Sequence, residues 1–278
     1  MHSSGPEVLL YAVPAFALLL TLEILYVKRR PGEEFVGFGR LDTRTSLAMG
    51  TGSLFTSGAW KVVALAAYSG LYELAPWHLR GDVWWTWVIL LFAEDLCYYA
   101  YHRTSHEVRV FWASHVVHHS SQHYNLSTAL RQTWVPVTTF PFWLALPLLG
   151  FPPWMILVQQ SISLIYQYWI HTERIATMWR PFELVMNTPS HHRVHHGANP
   201  IYLDRNYAGI FIIWDRMFGS FQGETEPVRY GLTKNISTHN PLRVAFHEYA
   251  ALAHDVRHAP TWRARLGYLL RSPGWTPV

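Results

Sequence analysis

The chain has 278 residues, half of them hydrophobic and only 14% charged, well under the roughly 25% usual in soluble domains. Its 14 tryptophans and 15 tyrosines suit a protein with aromatic belts at membrane interfaces. A net charge of +4 without a long basic run argues against nucleic acid as a partner, and the single cysteine, Cys97, excludes an internal disulfide and a cysteine-based metal site.

The pattern predicts an all-α fold, a multi-pass membrane helical bundle of four to five spans with a histidine-rich helical cap on the cytoplasmic side. Residues 8–27 are almost wholly apolar, long enough to cross a bilayer core. No basic stretch precedes them and Lys28, Arg29 and Arg30 follow, the mark of an anchor rather than a cleaved leader. Residues 46–72 form a weaker span, rich in Gly, Ser and Ala and containing Lys61. A third span, 83–101, carries Glu94 and Asp95. Residues 134–150 and 154–170 flank "FPP" and read as a helical hairpin. Placing Lys28, Arg29, Arg30, Arg40 and Arg44 in the cytoplasm puts 101–133 and everything after 171 on that side too. From 241 on, arginines are mixed with Trp, Leu and Tyr. This tail reads as one or two amphipathic helices, lying on the membrane or packed on the domain.

Seventeen histidines are the outlier, and they cluster. "HRTSH" holds His102 and His106; "HVVHH" holds His115, His118 and His119; "HRVHH" holds His192, His195 and His196. On a helix, positions i, i+3 and i+4 share a face, so each cluster presents its imidazoles together. Eight such ligands exceed one metal's coordination and suit two metals in one pocket, with imidazole favouring iron, zinc, copper or nickel. All three clusters fall on the side assigned to the cytoplasm. His171 ends a polar stripe with Gln160 and Gln167 and is a further candidate ligand. Asp95 lies seven residues before His102 on one helix face, and an intramembrane carboxylate is usually functional or paired. It is expected to accept a hydrogen bond from a ligand imidazole. The stretch 214–221 reads as an amphipathic cover over the site or an interfacial anchor through Trp214 and Phe218. His78, His239, His247, His254 and His258 read as ordinary hydrogen-bonded residues, and His2 as disordered. His123 and His191, beside the clusters, fit either a supporting role or none.

The order HxxxH, HxxHH, HxxHH resembles the fatty acid hydroxylase/sterol desaturase superfamily of membrane di-iron oxygenases. The stretches 101–132, 166–175 and 187–221 are similar to its alkylglycerol monooxygenase branch. The resemblance implies two iron ions, O2 as co-substrate, a lipid substrate and insertion of oxygen into an unactivated C–H bond. In that branch the carbon beside an ether oxygen is hydroxylated, the product collapses to a fatty aldehyde and a glycerol derivative, and tetrahydrobiopterin supplies electrons. Glu107, directly after the first cluster, and Asn206 in "DRNY" are candidates for contacting the pterin or supporting the ligands. The domain reading is then 1–82 for N-terminal membrane helices, 83–221 for the catalytic unit and 222–278 for the tail. A sterol or fatty-acyl hydroxylase or desaturase fed by a redox protein is the alternative within the superfamily. A metal transporter is the alternative outside enzymes, and it predicts ligands at mid-bilayer, where this chain has no histidine. A zinc protease would need HExxH, which the first cluster lacks.

Overall fold

The computed structural model describes residues 8–30 and 35–277; His2 lies outside them. Among the described residues twelve α-helices and two short 3-10 turns carry the fold, and there is no β-strand, only the isolated bridges Met186–Phe211 and Gly197–Tyr230.

Helix α1 (Val8–Arg29) is followed by the long α2 (Arg40–Tyr72) and by α3 (Trp84–Glu107). Among the described residues one helix, over Tyr11–Arg29, is apolar and long enough to cross a membrane. Helix α3 runs on past the expected span and carries the first histidine pair on the same rod. It stops at Val108, whose extended backbone turns the chain into α4 (Arg109–His119), the bearer of the second cluster. These two helices pack against each other, so the first two clusters meet at one corner.

The short α5 (Leu126–Ala129) is closed by Asn125, whose side chain accepts from the Ser127 amide while Thr128 reaches back to the Asn125 amide. The expected hairpin forms only in its second arm. Residues 134–150 break into the turns Pro136–Thr138 and Phe140–Trp143 and the single-turn α6 (Ala145–Leu148). Pro136, Pro141 and Pro147 remove helix donors and clash with the preceding turn at each point. Helix α7 (Pro153–Trp169) is continuous and packs on α1, α2 and α3. A core of Tyr68, Leu90, Tyr101, Trp143, Leu146, Met155 and Ile156 joins α2, α3 and α7 to the broken segment.

Beyond α7 the helices α8 (Arg180–Val185), α9 (Pro189–His195) and α10 (Ile213–Phe218) are short, and α9 holds the third cluster. The tail folds into α11 (Pro241–His258) and α12 (Trp262–Leu270), with α11 packed against both α4 and α12. Arg109 of α4 fastens α11 by reaching Glu248 at 2.8 Å and Asp255 at 2.7 Å.

Candidate metal centre

Nine buried histidines come together where α3, α4, the end of α7 and α9 converge. They form two sets, each with donor nitrogens within 4.8 Å of one another. The first is His102, His106, His115, His119 and His195; the second is His118, His171, His192 and His196. The sets adjoin, with the His119 and His196 rings stacked at 4.4 Å. Helical spacing explains the division. In the second cluster the i and i+4 residues, His115 and His119, serve the first set while the i+3 residue, His118, serves the other. The third cluster reverses this, giving His192 and His196 to the second set and His195 to the first.

Four of the rings are oriented by backbone carbonyls, which only accept. His102 Nδ1 donates to Tyr207 O at 2.8 Å, His118 Nδ1 to Arg131 O at 3.3 Å, His171 Nδ1 to Gln167 O at 2.7 Å and His195 Nδ1 to Arg205 O at 3.0 Å. Each bond fixes the proton on Nδ1 and leaves the Nε2 lone pair free for a metal. Burial, and then neighbouring imidazoles, hold His118, His171 and His195 down to about 3. The other six lie well below the ordinary value for the same first cause. Neutral imidazole is the form that ligates.

The donor set fits metal ions better than it fits itself. Nε2 atoms approach in pairs, His102–His115 at 2.9 Å, His115–His119 at 3.1 Å, His118–His171 at 3.1 Å and His171–His192 at 3.0 Å. Such separations suit neighbouring donors on one ion with bonds of about 2.0–2.1 Å. Nε2 of His106, His195 and His196 and Nδ1 of His192 are buried with no hydrogen-bond partner, and buried polar atoms are seldom left so. No carboxylate belongs to either set.

Asp95 requires a correction. Its carboxylate does not receive a hydrogen bond from an imidazole. Oδ1 accepts from the Ile210 amide at 2.7 Å, and Oδ2 from the Phe211 amide at 3.0 Å and Trp214 Nε1 at 2.9 Å. The loop 207–211 takes the imidazole instead, through the Tyr207 carbonyl. Gly209 makes that approach possible, because a Cβ there would lie 2.7 Å from Asp95 Oδ1. Asp215 braces the other end, accepting from the Tyr207 and Ala208 amides, each at 2.8 Å, and from Ser220 at 2.7 Å. The stretch 214–221 is thus an inner brace at Trp214 and Asp215, while Phe218, half exposed, stacks on Tyr99 at 5.3 Å.

Asn206 is fully buried, with a left-handed backbone (φ 55°). Its amide donates to the His191 and Gln222 carbonyls and accepts from the Gln222 amide, so it ties α9 to residue 222 and offers no free group. Glu107 is exposed and paired with Arg103 at 2.9 Å. It lies at the rim, near Asp204, whose carboxylate is 3.7 Å from His106 Nδ1. His191 and His123 belong to neither set. His78, His247 and His258 bond nearby backbone carbonyls. The sequence carries no signal for Asp215 or for the Arg131 carbonyl as supports of the centre.

Residues 87–220 match the family model described as fatty acid hydroxylase. This segment is similar to that family. It contains all nine clustered histidines. The whole chain is similar to the alkylglycerol monooxygenases of Homo sapiens, 40% identical over 98% of this chain and 61% of the relative, and of Danio rerio, 40% identical over 98% and 60%. An ornithine lipid hydroxylase of Rhizobium tropici is 24% identical over 72% of this chain and 61% of its own. The chain therefore spans about 60% of the length of these curated relatives. No solved structure matches it.

Proposed function

We propose that the chain is a membrane di-iron monooxygenase that hydroxylates a lipid C–H bond with O2, acting on the ether carbon of an alkylglycerol. The observation carrying this reading is the pair of adjoining all-histidine sets within a segment similar to the hydroxylase family. The names of the relatives at 40% identity favour the alkylglycerol as substrate.

His102, His106, His115, His119 and His195 would hold one iron, and His118, His171, His192 and His196 the other. Two irons held there would supply the chemistry of O2 activation and oxygen-atom transfer to carbon. The protein keeps the imidazoles neutral, fixes four of them through Nδ1 and excludes bulk water from the centre. Asp95 and Asn206 act by holding the loop and helix that carry ligands. Tetrahydrobiopterin is the proposed two-electron donor, and Glu107, exposed and paired with Arg103, is the residue proposed to meet it.

Hydroxylation of the ether carbon gives a hemiacetal, which breaks its C–O bond to yield a fatty aldehyde and a glycerol derivative. The other oxygen atom leaves as water with two electrons and two protons. The multi-pass arrangement, with the centre on the cytoplasmic side and the units 1–82, 83–221 and 222–278, belongs to the same reading. Its support is the apolar helix α1, whose last turn carries Lys28 and Arg29. A glycerol head at the interface then brings its ether carbon to the histidines, whereas a mid-chain methylene would have to loop back out of the bilayer.

The test is turnover of a 1-O-alkylglycerol with tetrahydrobiopterin under 18O2, the aldehyde being trapped by rapid reduction. Label in the resulting alcohol is expected. Turnover only with sterols or fatty acyl chains, and only with a redox protein, would overturn the substrate and donor.

A further inference from the structure

Arg193 sits between the ligands His192 and His195 but points away from both metal sets. All five of its N–H donors are used. Nε reaches Glu224 Oε1 at 2.9 Å and Nη2 reaches Glu224 Oε2 at 2.6 Å. Nη1 donates to the carbonyls of Thr172 at 3.2 Å and Ile175 at 2.6 Å, and Nη2 to that of Ala176 at 2.6 Å. The guanidinium is buried, in contact with a carboxylate that is itself largely covered.

Those three carbonyls belong to the turn directly after His171. Of the four ligands in the second set, His171 comes just after the end of α7, His192 from α9 and His196 from its C-cap. Arg193 therefore fastens the His171 turn to the helix bearing His192 and His196. Glu224 extends the same junction beyond the family-matched residues. The segment after it closes on the third cluster, with the Thr225 and Glu226 amides donating to Tyr202 and the Ala198 amide to the Arg229 carbonyl. Tyr230 then stacks at 5.0 Å on Tyr124, whose ring lies 5.7 Å from His171.

We infer that Arg193, with Glu224, is the positioning residue of the second metal site, so that segment 222–230 is structurally part of that site and not of a separate tail. The inference rests on the two-metal reading. Lysine cannot replace arginine here, because an ammonium has three donors on a point charge and cannot span a carboxylate and three carbonyls at once.

The experiment is metal analysis of the full-length protein in detergent, wild type against Arg193→Lys, loaded with iron anaerobically and then dialysed. Wild type should hold two metals per chain. Arg193→Lys should keep one and release the other about 10–100-fold more readily, the usual effect of losing a ligand's support. Adding His192→Ala to Arg193→Lys should lower the metal content no further, while adding His102→Ala should. Should Arg193→Lys not fold, Glu224→Gln decides, with faster release of a single metal expected. Two metals held as tightly as in wild type, or equal loss of both, would overturn the assignment. Wild type holding fewer than two would overturn the two-metal reading and this inference with it.

Discussion

His118 and His171 face each other with their Nε2 atoms 3.1 Å apart, and each has already given its Nδ1 hydrogen to a backbone carbonyl. Two neutral rings so fixed aim lone pair at lone pair and cannot hydrogen-bond. A cation between them removes the conflict. His171→Ala should accordingly abolish binding of one metal and leave the other, because the first set keeps all five of its histidines. Metal content per chain reads this directly, and retention of both ions would remove His171 from the ligands.

The metal-free centre should be acid-sensitive. His118, His171 and His195 are held down to about 3 in the folded chain, against about 6.5 when unfolded. The unfolded chain therefore binds more protons between these values, and stability falls as pH falls through that window. The contribution is fully present above about 6.5. Thermal melting of the chelator-treated protein should show a midpoint that is flat above that pH and drops below it. Iron should blunt the drop. A midpoint independent of pH from 7 down to 4 would contradict the buried, neutral imidazoles.

Asp95→Asn should loosen the first set and spare the second. Asparagine loses one of the two accepting oxygens that hold Ile210, Phe211 and Trp214, and an orphaned buried N–H costs about 1–3 kcal/mol. The loop so released carries the Tyr207 carbonyl that orients His102. The expected outcome is faster loss of one metal, with circular dichroism unchanged. Equal loss of both ions would mean that Asp95 merely supports the fold.

Much of this centre is legible in the sequence because metal ligation by helices leaves a local mark. Spacings of three and four residues announced the eight clustered histidines, and the polar stripe through Gln160 and Gln167 announced His171. The division of ligands between two sets was not legible, since it depends on how α4 and α9 are rotated against each other. Asp95 shows the other limit. Its seven-residue offset from His102 placed both on one face of α3, yet its partners lie over a hundred residues away, and two of the three are the Ile210 and Phe211 backbone amides, which no side-chain pattern reveals. In 134–150 the apolar run argued for a helix while the three prolines argued against one, and the prolines won.

Asn206→Ala tests the tie between α9 and residue 222. Three side-chain hydrogen bonds are lost and alanine is left in a left-handed conformation. Together these should cost about 2–4 kcal/mol, seen as a lower thermal midpoint. Asn206→Asp should give no rescue, because its second oxygen would face the His191 and Gln222 carbonyls, to which a carboxylate cannot donate. An unchanged midpoint in the alanine variant would show that α9 needs no such tie.

The most direct measurement is iron per chain after anaerobic purification, combined with Mössbauer spectra of 57Fe-loaded protein. The account predicts two irons per chain in histidine-rich environments, and both should be lost when His102→Ala and His192→Ala are combined. One iron per chain, or zinc in place of iron with no response to reductant and O2, would contradict it.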